Sequence, residues 1–459
     1  MTQFIENLFA RFWNRVTAPA PVRPSRDAIR LGTLVLDERS AGTSVSLQKS
    51  KRAEHIGILG RTGTGKSSLI KCLAGQDVLA NDSWLSVDLH NDTTPFLLRR
   101  IAREEIRRGV DLSTKLIIIE PSDPEWSVGL NVLERRPGEQ IFVQIAEFAE
   151  ILKRRWQLDH LGARTEELLR NSLHVLADND LTLVDLQPLL TNVAFRAICL
   201  RRVTNPEIES YFRSRFDPAT EAMQAVYRDA ILNKVSSFTS DPRFRHIVGQ
   251  RRSTFSLLDA LDNGYWVILS LDKGRLGEQA ATLGSLLLTK LKNALFARRR
   301  RTLFTIYADE LQNLIAFDSG LETLFSEARK FNVSVVSANQ YLEQYPPQMR
   351  AAILAIGTHI FFQLSSSDAD KIASALDGGK RLAELLKNLP KRHMVVKSGH
   401  HRWQQAIVPT VDDPRIDFTD LYNRCRVRWE RRRTDIEAEL RTRYQRATGS
   451  PDEVLNEWE

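Results

Sequence analysis

Cysteine is scarce. The three residues Cys72, Cys199 and Cys425 lie far apart in a chain of 459 and form no C-x-x-C pair. That excludes a disulfide framework, gives no zinc-site spacing and suits a reducing cytoplasmic setting. Long hydrophobic runs are also missing. None approaches the ~20 residues needed to span a bilayer, and the N-terminus lacks the compact apolar core of a signal peptide. The sequence therefore predicts a soluble or peripheral protein. No internal repeat interrupts it.

Apolar residues make up 42% of the chain, enough for a large core in two or three domains. The 65 Lys+Arg against 57 Asp+Glu leave a net charge of +8 and a pI near 9.4, a modest bias towards polyanionic partners. Residues 2–16 set Phe4, Ile5, Leu8, Phe9, Phe12, Trp13 and Val16 on one side of a predicted helix, which the Pro-rich stretch Ala18 to Pro24 ends. Packing against the rest of the protein or a partner subunit is the preferred reading, with contact at a membrane surface left open.

The segment Gly60-Arg61-Thr62-Gly63-Thr64-Gly65-Lys66-Ser67, followed by Ser68, fits the phosphate-loop pattern G-x-x-x-x-G-K-[ST]. It follows the strand-like run His55 to Leu59 and enters the helix-like segment Ser68 to Leu73, a context that argues against chance. In such a loop the backbone N–H groups wrap a polyphosphate, Lys66 reaches the β/γ-phosphates and the Ser67 hydroxyl ligates Mg²⁺.

A second strand-like run, Leu303 to Ala308, ends in Asp309-Glu310. Asp309 is the candidate Mg²⁺ residue and Glu310 the candidate group that polarises an attacking water. A third, Val333 to Ala338, ends in Asn339-Gln340, and Gln340 is placed to sense a γ-phosphate or orient the water. Arg329 closes the helix before it. It reads either as an arginine finger or as a cation at a helix C-terminus. The run Arg298 to Arg301 reads as a solvated helix end in preference to a DNA contact. With no N-K-x-D and no L-S-G-G-Q motif, a GTPase or ABC ATPase is disfavoured and ATP becomes the expected nucleotide.

Strands are predicted at His55–Leu59, Trp84–Leu89, Lys115–Glu120, Trp266–Leu271, Leu303–Ala308, Val333–Ala338, His359–Leu364 and Met394–Val396. The fold class expected is α/β: a P-loop motor with a mostly parallel central sheet plus an all-helical inserted domain. The divisions expected are 1–28 amphipathic helix and Pro-rich linker, 29–136 first part of the motor, 137–250 all-α insertion, 251–415 second part of the motor, and 416–459 charged helical tail. The basic run Arg424 to Arg433 reads as a solvated helix.

These residues resemble the HerA/FtsK superfamily of DNA-pumping ATPases and, within it, the type IV secretion coupling protein branch. The resemblance runs through most of 30–410. It rests on Leu31-Gly32-Thr33, the phosphate loop with His55 upstream, Asp88-Leu89-His90-Asn91-Asp92, Pro121-Ser122-Asp123-Pro124, Val128-Gly129-Leu130-Asn131, Asp309-Glu310 and Ser337-Ala338-Asn339-Gln340. It implies a RecA-like motor and a hexameric ring that moves DNA through a central channel. It also implies sites shared between subunits, with Gln340 and Arg329 matching in order and spacing. Two departures stand out. Coupling proteins usually carry N-terminal transmembrane helices, and Asn91 occupies the position of a glycine in an Asp-x-His-Gly-Asp pattern. Asp88, His90 and Asp92 are read as structural strand-end residues.

The expected function is an ATP-driven, sequence-independent DNA translocase acting as a cytoplasmic homo-hexamer. Secretion-system or relaxosome partners and a peripheral contact with the inner face of the membrane are left open. The alternatives are a secretion ATPase handling protein cargo and a slow nucleotide-dependent assembly switch.

Overall fold

The computed structural model describes residues 27–36, 39–135, 141–155, 162–277, 279–315 and 321–449. The expected N-terminal amphipathic helix therefore lies outside the described residues. Among those described, no single helix is long and apolar enough to cross a membrane.

The strands are β1 (Ala28–Leu36), β2 (Arg39–Gln48), β3 (Ile56–Leu59), β4 (Ser83–Asp88), β5 (Leu116–Ile119), β6 (Trp126–Ser127), β7 (Trp266–Ser270), β8 (Phe304–Asp309), β9 (Val333–Asn339), β10 (Thr358–Phe361), β11 (His393–Ser398), β12 (Gln404–Ile407) and β13 (Arg431–Arg432). Eleven of them form one sheet in the order β2-β1-β12-β11-β10-β3-β9-β8-β4-β7-β5. From β10 to β5 every pairing is parallel. From β10 outward to β2 every pairing is antiparallel. This is the expected α/β motor, and all eight predicted strands form, to within three residues of their expected ends.

The parallel strands are near-continuous apolar runs because both sheet faces are covered. Alternate residues divide between two cores: Leu85, Val87, Ile117 and Ile119 enter one, and Trp84, Leu116, Ile118 and Trp266 the other. Trp84 and Trp266 stack across neighbouring strands with ring centroids 6.1 Å apart. On the second face lie helices α1 (Lys66–Ala80) and α2 (Thr93–Arg108).

Between β6 and β7 every described element is helical, including α3 (Ile141–Arg155), α4 (Ala163–Asp178) and α5 (Glu221–Thr239). Their apolar faces merge into the core on the first sheet face, where Leu152, Leu173 and Ile231 belong with Leu85 and Leu269. The helical block thus shares its core with the sheet.

Two basic segments depart from expectation. Helices α6 (Thr419–Trp429) and α7 (Arg433–Thr448) pack onto the protein, with Leu421 and Cys425 buried in the second core. The run Arg424 to Arg433 is only in part a solvated face: Arg424 pairs with Glu105 and Asp111 and Arg426 with Asp123, while Arg428 and Arg432 stay exposed. Arg433 donates to the carbonyls of Pro121, Trp126 and Pro242. In the run Arg298 to Arg301 only the Arg298 side chain departs, buried and held by Asp262 and by the carbonyls of Leu261, Thr302 and Phe331, while Arg299, Arg300 and Arg301 are exposed as expected. Here tertiary partners override the solvation that charge alone suggests.

Candidate functional site

The phosphate loop sits at the carboxyl edge of the sheet, between β3 and α1. Its geometry depends on Gly65, whose φ of 123° is open only to glycine. A Cβ there would stand 3.2 Å from the Phe362 ring and 3.4 Å from the Arg392 Cα. The Thr64 hydroxyl closes the loop onto the Arg61 carbonyl at 2.7 Å, and the Gly60 N–H donates to the Asn339 carbonyl at 3.1 Å. The loop is thereby fixed to the neighbouring strand β9.

Lys66 curls back over the loop, its Nζ 2.6 Å from the Gly60 carbonyl and 3.1 Å from that of Arg61. Burial pulls its pKa down, against the opposing pull of Asp309 and Glu310. The Ser67 hydroxyl donates to Asp309 Oδ2 at 2.7 Å, joining α1 to the end of β8. Burial pushes the Asp309 carboxyl up despite that bond and the charge of Lys66.

Glu310 follows Asp309 in the left-handed region, at φ 57°. For a non-glycine residue this is a strained backbone of the kind that collects at functional sites. Its N–H is held by the Ala338 carbonyl at 2.9 Å. Three side chains then grip its carboxylate: Gln340 Nε2 at 3.1 Å, Asn313 Nδ2 at 3.0 Å and His90 Nε2 at 3.1 Å. Burial alone would raise this carboxyl, but those contacts outweigh it and hold the group below the usual range.

His90 corrects the reading of Asp88, His90 and Asp92 as structural. Asp88 does serve structure: its carboxylate accepts the backbone N–H groups of His90, Asp92, Thr93 and Thr94 and so starts α2. His90, however, reaches the functional carboxylate. Asn91, which takes the glycine position of the pattern, has a left-handed φ of 54°, a conformation asparagine tolerates.

The structure thus brings Thr62, Gly63, Gly65 through Ser68, Asp309, Glu310 and Gln340 together around a cleft of about 780 Å³, while Gly60, Arg61 and Thr64 complete the loop behind them. Arg329 stands apart. It lies before β9 at the amino edge of the sheet, with Nη2 3.1 Å from Oε1 of Glu54, two residues before β3, and its side chain 65% exposed. His55 anchors that edge, accepting the Val335 N–H on Nδ1 at 3.0 Å and donating from Nε2 to the Phe325 carbonyl at 2.9 Å. The cleft also receives Lys391, Arg392, Thr410 and Val411, which the sequence reading missed. Their only signal there is a basic pair just before the strand-like run at Met394.

A divalent cation fits this arrangement. Asp309 is a half-buried carboxylate whose charge burial disfavours, and the Ser67 hydroxyl, a ligand of the kind Mg²⁺ takes, already touches it. Ser67 and Asp309 are the residues that would hold the ion.

The family model described as "Helicase HerA, central domain" matches residues 29–290. No curated protein matches the chain. Among solved structures, the unbound bacterial conjugative coupling protein TrwB is 17% identical with a TM-score of 0.57, covering 84% of this chain and 91% of that one. TrwB in complex with ADP and Mg²⁺ is 17% identical with a TM-score of 0.55, covering 85% and 96%. VirB4 of Thermoanaerobacter pseudethanolicus is 14% identical with a TM-score of 0.57, covering 84% and 96%. At these identities the likeness establishes a shared fold. The family match spans more than half of the 459 residues, and the protein belongs to the HerA helicase central-domain family.

Proposed function

We propose that this protein is an ATP-hydrolysing motor that moves DNA as a ring in the cytoplasm. The observation that carries the ATPase reading is the convergence of Ser67, Asp309, Glu310 and Gln340 on one phosphate loop. The loop's N–H groups and Lys66 bind the polyphosphate. When bound, Mg²⁺ would neutralise charge on the β- and γ-phosphates. Glu310, kept ionised and aimed by Gln340, Asn313 and His90, accepts a proton from the attacking water.

The ring is supported by Arg329, which is exposed at the sheet edge opposite its own phosphate loop and so is placed to serve a neighbour's nucleotide. DNA is supported by the net charge of +8 and by the fold shared with a conjugative coupling protein. A protein cargo is favoured by a separate observation: the most basic surface run, Arg424 to Arg433, is engaged by the protein's own acids and carbonyls. The ATPase rate with and without duplex DNA across a salt series separates the two. DNA stimulation that fades steeply with salt, as log K falling by about 0.9 per phosphate contacted for each tenfold rise in salt, supports translocation. A rate indifferent to DNA at low salt supports protein cargo or an assembly switch.

A further inference from the structure

We propose that Gln344 is a positioning residue for hydrolysis: its amide oxygen holds the backbone N–H of Gln340 and so fixes the direction in which the Gln340 side chain leaves β9 to reach Glu310. This rests on the ATPase reading above and extends it to a residue that does not line the cleft.

The need for such a residue arises where two strands part. Up to their ends β8 and β9 are paired in parallel, the last pair being Asp309 with Ala338, and the Ala338 carbonyl accepts the Glu310 N–H at 2.9 Å. Alternation along β9 turns the Gln340 N–H to that same side. There β8 has ended, and Glu310 leaves it with a left-handed φ of 57°. A ladder partner is thus replaced by a side chain: Gln344 Oε1 accepts the Gln340 N–H at 2.8 Å and the Tyr341 N–H at 3.4 Å. Both partners are backbone donors, so only the oxygen of the Gln344 amide can face them.

The turn that carries Gln344 has a fixed base. Leu342 is buried in the same apolar cluster as Leu59, the residue that precedes the phosphate loop. Tyr345, also buried, donates its hydroxyl to Asn339 Oδ1. Asn339 in turn donates from Nδ2 to Gln312 Oε1 at 2.5 Å, two residues beyond Glu310, while its carbonyl accepts the Gly60 N–H at 3.1 Å. On the far side Arg350, in the helix Pro347–Leu354, donates from Nε to the Tyr345 carbonyl at 2.8 Å. These contacts anchor the turn to the phosphate loop and to the segment after Glu310. Gln344 passes that anchorage to Gln340.

Gln340 has one observed contact with the reacting group, from Nε2 to Glu310 Oε1 at 3.1 Å. A side chain that swings about a loose backbone loses such a bond first, whereas the phosphate loop is held by contacts of its own. Loss of the Gln344 oxygen should therefore slow hydrolysis and spare ATP binding.

The test measures steady-state ATPase kinetics and melting temperature for Gln344→Met, which keeps length but lacks the acceptor, and Gln344→Glu, which retains one. Each is made in the full chain with Gln340 present and with Gln340→Ala. Gln344→Met should lower kcat about tenfold with KM for ATP and melting temperature little changed, and Gln344→Glu should return to within about threefold of wild type. In the Gln340→Ala chain, which is itself slowed, Gln344→Met should change kcat by less than about twofold, because the two residues act as a unit. Gln344→Ser, too short to reach Gln340, supplies the same comparison if the methionine variant does not fold. An unchanged kcat in Gln344→Met, a glutamate variant as slow as the methionine one, or a full further loss on top of Gln340→Ala would each overturn the assignment while leaving the ATPase reading standing. Wild-type kcat in Gln340→Ala would remove the role of Gln340 and this assignment with it. A wild-type chain that neither binds nor hydrolyses ATP would overturn the nucleotide reading itself.

Discussion

His90, at the turn after β4, places Nε2 3.1 Å from Oε2 of Glu310, which follows the neighbouring strand β8 and lies 220 residues away in sequence. Since Gln340 holds the other carboxylate oxygen, His90 restricts which way Glu310 faces. His90→Ala should lower kcat about tenfold with KM for ATP little changed, and His90→Gln, which retains a donor, should recover much of the loss. Steady-state ATPase kinetics with an unchanged melting temperature check this. An equal fall in kcat and rise in KM would point to binding instead.

Lys66→Ala should abolish hydrolysis and weaken ATP binding with the fold intact, because the lysine is the mobile charge over the loop. Glu310→Gln keeps shape but loses the proton acceptor, so turnover should drop ~10²-fold or more while ATP stays bound. Filter binding and phosphate release on the same samples separate the two effects. Rapid turnover by the glutamine variant would remove Glu310 from its role.

Arg329 and Glu310 should complement each other in mixed rings. Each of Arg329→Ala and Glu310→Gln should be nearly inactive alone, the arginine contributing commonly ~10³-fold or more. With random equal mixing, about one interface in four is intact, and hydrolysis should reappear well above either parent. Labelled protomers establish subunit exchange first. Exchanged mixtures as inactive as the parents would place Arg329 within its own subunit or require every site in a ring to fire together.

Acid should destabilise the fold through His55, which is 3% exposed and has its pKa lowered to about 4, chiefly by burial. An unfolded histidine binds a proton near pH 6.5, so between there and pH 4 the unfolded chain binds more protons and stability falls as pH drops. Between pH 7 and 5 the loss from this group is on the order of 2 kcal/mol. His174, also lowered to about 4 by burial, adds in the same direction. Urea titrations should show a shallower slope with pH for His55→Gln than for wild type. An unchanged slope would mean that the ring takes up its proton without leaving its place.

Arg52 is 2% exposed and grips Asp77 of α1 through both oxygens, at 2.7 and 2.6 Å, while Tyr307 of β8 donates to Asp77 at 2.6 Å. Burial opposes the guanidinium charge, but Asp77 more than compensates and raises its pKa. Asp77→Asn should cost about 3–5 kcal/mol, the usual penalty for stranding one partner of a buried pair. Denaturant unfolding checks this. A loss below about 1 kcal/mol would mean that water reaches Arg52.

Much of the motor was legible because its parallel strands are buried on both faces and read as unbroken apolar runs, as in Leu116 to Ile119. The β1–β2 hairpin and β12 left weaker marks. They are antiparallel, lie beyond β11, and carry polar sequences such as Gln404-Gln405 and Ser44 to Ser46. Local motifs placed Lys66, Ser67, Asp309, Glu310 and Gln340 at one site because each ends or follows a strand at the same sheet edge. His90 and Arg392 were not legible as members of that cleft. Their roles arise from strand order, which brings residues hundreds of positions apart to one cleft, and from a left-handed turn at Arg392 that no residue pattern announces.

The arginines of α6 and α7 have a consequence for the order in which the fold is covered during synthesis. Translation runs from the amino end, so the carbonyls of Pro121, Trp126 and Pro242 exist long before Arg433 arrives to bridge them. Until then the apolar surface that Leu421 and Cys425 cover stays open to water and to other nascent chains. The segment made after residue 415 is therefore the seal on a surface made earlier, and a ribosome that stops near residue 415 releases a motor with every phosphate-loop residue present and its flank uncovered.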